Sequence, residues 1–412
     1  MIVEKMAYNY KTLDNGIRII HKQVQSTITH AGVVVNTGTR DETSDEAGIA
    51  HFIEHVIFKG THKRNTYQVL SYLENVGGDL NAYTTKEETF FYASVLNEYF
   101  SRCMELLSDI IFNSMFNPKD IETEKEVVKE EIKMYKDTPS ELIFDEFENL
   151  VFQNHTLGTN ILGTLKDIKN INQKKIHSFI QRTYNTDQIV IAVVGNVSFE
   201  QCIRVVEKYF REIETNKRAF DRPAFSSFET RHKKIKMHTN QVHAIIGQAL
   251  PNYNEQKNRT ATLLNNILGG QGLNSRLNLA IREKTGYVYQ IESCYSALSD
   301  VGLFTVYVGA DKKNIDRCFE LIYREMKKLR EQKLGTLQLH RARLQLIGQA
   351  CISHESNLTE MLSIGKNHLI FNEVEDIFAV VQKIETINET ELLELANEMF
   401  IQENMSSLII AK

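Results

Sequence analysis

The chain has 412 residues, of which 42% are hydrophobic and 25% charged, a balance typical of globular proteins rather than disordered ones. At roughly 150 residues per domain, this length predicts two or three domains and excludes a single small module. The 48 Lys and Arg residues against 53 Asp and Glu leave a net charge of −5. That charge provides no basic field for nucleic acid or anionic lipid, and it favours cationic peptides or small molecules as partners.

The N-terminal ten residues are polar and lack the apolar stretch of a signal peptide. The longest apolar runs, such as residues 189–194, are too short to cross a bilayer. The five cysteines are odd in number and widely spaced, without a C-x-x-C pair, so neither a disulfide framework nor a thiolate metal site is expected. We therefore expect a soluble protein of a reducing compartment, the cytoplasm, without a membrane partner.

Residues 51–55, H-F-I-E-H, form the strongest local signal in the first half of the chain. On a helix, His51 and His55 are four residues apart and project from one face, with Glu54 beside them. The flanking residues 49–58 are otherwise almost all apolar, which predicts a buried helix. Burying two imidazoles and a carboxylate costs free energy unless another group interacts with them. A metal ion shared by the two histidines would be such a group. The alternative is a pair of hydrogen-bonded core histidines.

A second helix with readable ends is predicted over residues 117–139, where Asn117 can cap the start, Pro118 suits the first turn and Pro139 ends the pattern. At 100° per residue, one face contains Glu124 and Glu131 among apolar neighbours: Ile121, Val127, Val128, Ile132, Met134 and Tyr135. Glu130 falls on the opposite, solvated face. Zinc needs a third protein ligand, for which we choose Glu131. Glu124 is expected either to orient a ligating histidine or to form a buried pair with a Lys or Arg.

The two halves of the chain repeat one order of elements. Each has a strand that begins His-Ala (30–35 and 243–247), then a helical segment, a glycine-containing turn with alternating strands (79–96 and 286–309), and a long amphipathic helix (98–112 and 313–331). Residues 214–234 lack periodicity and separate the halves. We expect an α+β fold with two domains related by duplication: a zinc-binding domain (1–215), a linker (216–233) and a second, metal-free domain (234–412).

With these motifs, the sequence resembles the inverzincin zinc peptidases of the pitrilysin and insulinase type over nearly its whole length. It is most similar to the branch that contains the mitochondrial processing peptidase β subunit and its bacterial relatives. The family pattern, H-x-x-E-H followed by a distal Glu, matches His51, Glu54, His55 and Glu131. Further matching segments are 77–85 (G-G-D-L-N-A-Y-T-T), 128–132 (V-K-E-E-I), 269–277 (G-G-Q-G-L-N-S-R-L) and 282–289 (R-E-K-T-G-Y-V-Y).

The resemblance implies an endopeptidase with one Zn²⁺ per chain, which cleaves extended or presequence-like peptides of basic or neutral charge with a metal-activated water. It also implies that residues 1–215 form the catalytic domain and that the two domains enclose a substrate chamber. Glu54 is then the general base. Arg282 and Tyr289 would contact the substrate backbone and the tetrahedral intermediate. Asn81 and Ala82 would begin the strand that pairs with the substrate.

In the second half, residues 261–268 correspond to the His51 segment but contain neither His nor Glu. Because one chain carries both the metal motif and the Arg282–Tyr289 pair, it need not depend on a catalytic partner, and the family analogy implies a homodimer. Two alternatives remain at this point. The chain could be a noncatalytic structural or partner subunit of the same family, or it could bind metal without hydrolysis.

Overall fold

The computed structural model describes residues 8–226 and 228–412. Its strands are β1 (Asn9–Thr12), β2 (Arg18–Gln23), β3 (Ile28–Val35), β4 (Asp79–Thr84), β5 (Thr89–Leu96), β6 (Ile189–Gly195), β7 (His232–Lys236), β8 (Val242–Pro251), β9 (Val288–Ala297), β10 (Val301–Ala310) and β11 (Ser406–Ala411).

Its helices are α1 (Ile49–Val56), α2 (Thr66–Glu74), α3 (Phe100–Asn113), α4 (Pro118–Lys136), α5 (Pro139–Val151), α6 (Leu165–Asn170), α7 (Gln173–Thr183), α8 (Phe199–Phe210), α9 (Glu255–Gly269), α10 (Ile315–Glu331), α11 (Thr336–His354), α12 (Asn357–Phe371), α13 (Ile377–Thr386) and α14 (Glu389–Met399). Within the described ranges, none of them combines the length and apolar character needed to span a membrane.

The described residues form two compact units. The first contains residues 8–132, 159–222 and 352–376, and the second contains the described parts of 133–158, 223–351 and 377–412. The first unit has a mixed sheet with the strand order β1-β2-β6-β3-β5-β4. In this sheet β2 and β6 are parallel, and every other neighbouring pair is antiparallel. Strand β6 is buried along its whole length, as its unbroken apolar sequence predicts.

The sheet of the second unit repeats this arrangement. Its described strands have the order β7-β11-β8-β10-β9, with β7 and β11 parallel and the other pairs antiparallel. Position by position, it matches β2-β6-β3-β5-β4 in order and direction. The α+β fold with a duplicated domain is therefore confirmed, and the common topology shows it more clearly than residue identity between the halves does.

The compact units differ from the contiguous domains expected at 1–215 and 234–412, because each unit takes one helix from the other half of the sequence. Helix α5 packs in the second unit, where Ile143 and Phe147 join a core with Ile245 and Leu408. Helix α12 packs on the first sheet, where Ile364 belongs to a core with strand residues such as Phe90, Val190 and Ala192. Each sheet buries the apolar face of a helix that is distant in sequence.

The expected linker, 216–233, is also divided. Its first part is bound to the first unit, because Asn216 donates its N–H to the Thr186 hydroxyl at 3.1 Å and Arg222 Nη2 donates to Asp41 Oδ2 at 2.8 Å. The chain enters the second unit at Pro223, and β7 begins at His232, inside the expected linker. The Arg222–Asp41 pair thus holds residue 222, the last of this part of the linker, against the first unit.

Helix α4 has the predicted ends. It begins at Pro118, and the Asn117 carbonyl accepts the N–H of Ile121 at 3.0 Å. Pro139 both follows this helix and opens α5, where its missing N–H is harmless in the first turn. The predicted apolar face is narrower than expected, because Val127 and Met134 are exposed while Ile121, Glu124, Val128 and Ile132 are buried.

Candidate metal centre

The candidate metal centre is built on α1, a short helix whose apolar side chains are buried in the first unit. Its sequence leaves two adjacent imidazoles on one face, and the His51 and His55 ring centroids are 4.6 Å apart. His51 is 9% exposed, so little solvent reaches it. Burial, together with the neighbouring His55, lowers the pKa of His51 to about 3. The ring is therefore neutral near pH 7, which is the form that binds a metal.

Glu131 of α4 completes a group of three. Its Oε2 lies 3.4 Å from His55 Nε2 and 3.8 Å from His51 Nε2. The three potential ligand atoms, one from each residue, all lie within 4.8 Å of one another. Ligand atoms about 2.1 Å from a tetrahedral zinc are about 3.4 Å apart, so the observed spacing suits that ion. Glu131 Oε2 is buried and has no hydrogen-bond partner among the described residues. Two ring nitrogens and a carboxylate oxygen at this spacing fit a zinc ligand set.

Glu124 lies beside this group and contacts two basic side chains, those of His55 and Lys59. His55 Nδ1 donates to its Oε1 at 3.0 Å, and Lys59 Nζ lies 2.6 Å from its Oε2. Burial raises the pKa of Glu124, but the hydrogen bonds from His55 and Lys59 outweigh it and hold the pKa below its ordinary value. The sequence allows two alternatives for Glu124, orienting a histidine or pairing with a Lys or Arg. In the structure the same carboxylate makes both contacts, with His55 and with Lys59.

Glu54 is half-buried on α1 and makes no such ion pair with the residues that the structure describes. Burial raises its pKa above the ordinary value, while a hydrogen bond with the Thr84 side chain and the charge of His55 act in the opposite direction. A carboxylate with a raised pKa is a better proton acceptor than an exposed one. Glu54 is thus suited to take a proton near the three ligand atoms without being one of them.

The remaining predicted site residues belong to both units. Asn81 and Ala82 are in β4, which occupies the edge of the first sheet and packs beside α1. Arg282 and Tyr289 belong to the second unit: Arg282 lies in a π-helical stretch, Asn278–Glu283, and Tyr289 lies in β9. Tyr289 is 58% exposed, and its hydroxyl donates to Asp311 Oδ1 at 3.3 Å. A π-helical turn is rare and is often found at functional sites.

Three residues near the metal centre were not predicted from the sequence: Lys59, Thr84 and Glu42. Lys59 follows His55 by four positions, so the helical period places it on the side of His55, and this signal could have been used. Thr84 reaches Glu54 through strand pairing, and Glu42 contacts the start of α1 across a loop. No helical or strand periodicity in the sequence indicates either of these two contacts.

Comparisons with known proteins agree with this geometry. Residues 18–165 match the family model described as insulinase, peptidase family M16, and residues 170–346 match the model described as the peptidase M16 inactive domain. The segment that corresponds to the His51 motif lies on α9 within the second match, and residues 261–268 contain no metal-binding side chain of the His or Glu type.

Curated relatives are similar over nearly their full length. An uncharacterized zinc protease of Bacillus subtilis is 31% identical over 97% of both chains, and one of Rickettsia bellii is 30% identical over 98% of both.

Among solved structures, a protease from Helicobacter pylori superposes with a TM-score of 0.88 at 19% identity, covering 99% of this chain and 100% of the other. A protein from Pseudomonas fluorescens described as a peptidase M16 inactive domain superposes with a TM-score of 0.91 at 15% identity, covering 98% of each chain. At these identities the two structures establish the fold. With the family models and the full-length relatives, they show that this chain belongs to the insulinase family of peptidases, family M16.

Proposed function

We propose that the chain is a zinc-dependent endopeptidase that hydrolyses extended peptides. The observation that carries this proposal is the His51–His55–Glu131 group, with ligand atoms at zinc-compatible spacing and Glu54 beside it. His51, His55 and Glu131 would hold one Zn²⁺. When bound, zinc supplies Lewis acidity, which lowers the pKa of a water molecule and polarises a peptide carbonyl.

The side chains around the zinc site have separate tasks. Glu54 accepts a proton from the attacking water and passes it to the leaving amine, because its carboxylate is half-buried and has a raised pKa. Glu124 accepts the Nδ1 hydrogen of His55, which leaves Nε2 with its lone pair for the metal. The edge strand β4, with Asn81 and Ala82, offers backbone groups to an extended peptide.

Arg282 and Tyr289 are proposed to bind the substrate backbone and to donate hydrogen bonds to the developing oxyanion. Support comes from their exposed side chains and from the π-helical turn that presents Arg282. In Tyr289→Phe, the loss of one donor should lower kcat about 100-fold, with zinc affinity unchanged. A Tyr289→Phe enzyme with the wild-type kcat would exclude this role.

We further propose that the substrates are basic or neutral peptides, because the chain has a net charge of −5. The likeness to the processing-peptidase branch supports presequence-like substrates and a homodimer. The five free cysteines support a cytoplasmic location. Light scattering during size-exclusion chromatography measures the assembly directly: twice the 47.5 kDa chain mass is expected, and the monomer mass would exclude the homodimer.

The test of the proposed function is metal analysis together with cleavage of a quenched fluorescent basic peptide, with and without a chelator. The expected result is one zinc per chain, cleavage without the chelator, and recovery of chelated enzyme when zinc is restored. Zinc binding without cleavage of any member of a broad peptide library would instead favour a noncatalytic subunit. A chain that binds no zinc would overturn the proposal.

A further inference from the structure

The start of α1 lacks a side chain of its own to cap it. The residue before the helix is Gly48, and the first turn contains no acidic residue. The first N–H groups of a helix have no partners within the helix, and Ser, Thr, Asp or Asn usually supplies an acceptor. Gly48 also has φ of +83°, a conformation that favours glycine. Another part of the chain must satisfy these N–H groups.

Glu42 supplies the missing acceptor from outside the helix. Its Oε2 accepts the N–H of Gly48 at 3.0 Å, and its Oε1 accepts the N–H of Ala50 at 2.9 Å. The residue is 5% exposed. Burial raises the pKa of Glu42, whereas the two N–H groups favour its charged form and oppose that rise. One buried carboxylate thus binds both ends of the Gly48–Ala50 segment.

The segment that carries Glu42 is itself held in place. The Glu42 N–H donates to the Thr39 carbonyl at 3.2 Å, closing a buried turn. The Gly48 backbone, which donates to Glu42, is also tightly packed. A Cβ added to Gly48 would lie 2.7 Å from the Leu162 carbonyl oxygen. Glu42 therefore joins the first turn of α1 to a fixed support rather than to a mobile loop.

His51 is the next residue after Ala50, and His55 follows one turn later. A shift or rotation of the first turn of α1 would move both imidazoles relative to Glu131, which belongs to α4. Metal ligands must be held within about 0.5 Å of their working positions. We propose that Glu42 is a positioning residue for the metal centre. It sets the placement of His51 and His55 through its hydrogen bonds to Gly48, which precedes α1, and to Ala50 in the first turn of α1. This inference rests on the proposed zinc site.

The test compares Glu42→Gln with the wild-type chain. The substitution preserves size but replaces one acceptor oxygen with an NH₂ group that cannot accept either N–H. We expect the zinc dissociation constant, measured by competition with a chromophoric chelator, to rise about tenfold, as for residues that orient metal ligands. The visible absorption of the Co²⁺-substituted protein should change as well, because it reports ligand geometry. At saturating zinc, kcat should fall while KM stays near its wild-type value.

The matched control is Glu360→Gln, which alters another buried carboxylate of the same unit. Glu360 is 3% exposed and accepts from Lys22 and Tyr8, each at 2.8 Å, on α12. This variant should lose stability but retain the zinc affinity and Co²⁺ spectrum of the wild type. If E42Q does not fold, Glu42→Asp gives the same test, since it is one methylene too short to reach both N–H groups.

A folded E42Q protein with wild-type zinc affinity and Co²⁺ spectrum would reduce Glu42 to a structural role and overturn the inference. Equal loss of zinc affinity in E42Q and E360Q would also overturn it, because the effect would follow stability alone. If the wild-type chain binds zinc but cleaves no peptide, the proposed peptidase function fails, and the zinc affinities still decide the role of Glu42.

Discussion

His55 Nδ1 lies 3.0 Å from Glu124 Oε1, and this hydrogen bond determines which imidazole nitrogen of His55 faces the metal centre. With Nδ1 as the donor, Nε2 carries the lone pair and lies 3.4 Å from Glu131 Oε2. Lys59 contacts the other oxygen of Glu124 at 2.6 Å, which favours the charged carboxylate. The orientation of His55, a proposed zinc ligand, thus depends on an ion pair outside the proposed ligand set.

Replacing Glu124 with Ala should weaken zinc binding 10- to 100-fold, because His55 loses its orienting acceptor. Competition with a chromophoric chelator measures the effect. The control is Glu122→Ala on the same helix, since the Glu122 side chain is 70% exposed and pairs with Lys125 rather than with a metal ligand. Unchanged zinc affinity in Glu124→Ala, or an equal loss in Glu122→Ala, would contradict this role.

The packing of α12 on the first sheet predicts that Gly365 tolerates no side chain. An added Cβ would lie 2.9 Å from Phe90 Cζ and 3.1 Å from Ala192 Cβ, both in a closed core. Gly365→Val should lower the free energy of unfolding by about 1–3 kcal/mol, as overpacking does.

Gly348 in α11 provides the matched control, because an added Cβ there has no described neighbour within 4 Å. Gly348→Val should change the free energy of unfolding by no more than about 0.5 kcal/mol. Urea titration of both variants tests the pair, and equal effects at the two glycines would show that α12 is not packed as described.

His368, also in α12, predicts a pH dependence of stability. Burial, assisted by the charge of Arg18, lowers its pKa to about 4, and its Nδ1 is buried without a hydrogen bond among the described residues. The folded-state pKa is thus below the unfolded value of about 6.5, so the unfolded chain binds more protons between pH 6.5 and 4. The free energy of unfolding is therefore unaffected by His368 protonation above pH 6.5, and it decreases as the pH falls from 6.5 to 4.

Between pH 7 and pH 5, His368 should account for a loss of roughly 2 kcal/mol in the free energy of unfolding. His368→Gln removes the titrating group, so its stability should fall less over the same interval when both proteins are titrated with urea. Identical losses in the wild type and the variant would mean that His368 is not held neutral by the fold.

Local patterns in the sequence predict the helices and strands that carry the metal centre. The spacing of His51 and His55 needs only a helix, and the 100° period places Glu131 on the inner side of α4 and Glu130 on the outer side. The same period fails for Val127 and Met134, which are apolar yet exposed. An apolar side chain favours burial, but the width of the buried face of a helix depends on which elements pack against it.

The sequence cannot show which sheet buries a given helix. Helices α5 and α12 have apolar side chains at helical spacing, and nothing local assigns Phe147 to a core with Leu408 or Ile364 to a core with Phe90. The contact between Glu42 and the start of α1 is equally hidden, because a side chain that reaches across an irregular loop follows no period. These contacts depend on the tertiary fold.

The most direct measurement of the proposed chemistry is the zinc content and peptide cleavage rate of Glu54→Gln, with Glu122→Gln as an exposed control. The variant keeps His51, His55 and Glu131, so it should retain one zinc per chain. Loss of the proton acceptor should lower kcat/KM at least about 100-fold, while Glu122→Gln cleaves at the wild-type rate. A zinc-loaded Glu54→Gln enzyme that cleaves peptides as fast as the wild type would contradict the assignment of Glu54 as general base and the mechanism built on it.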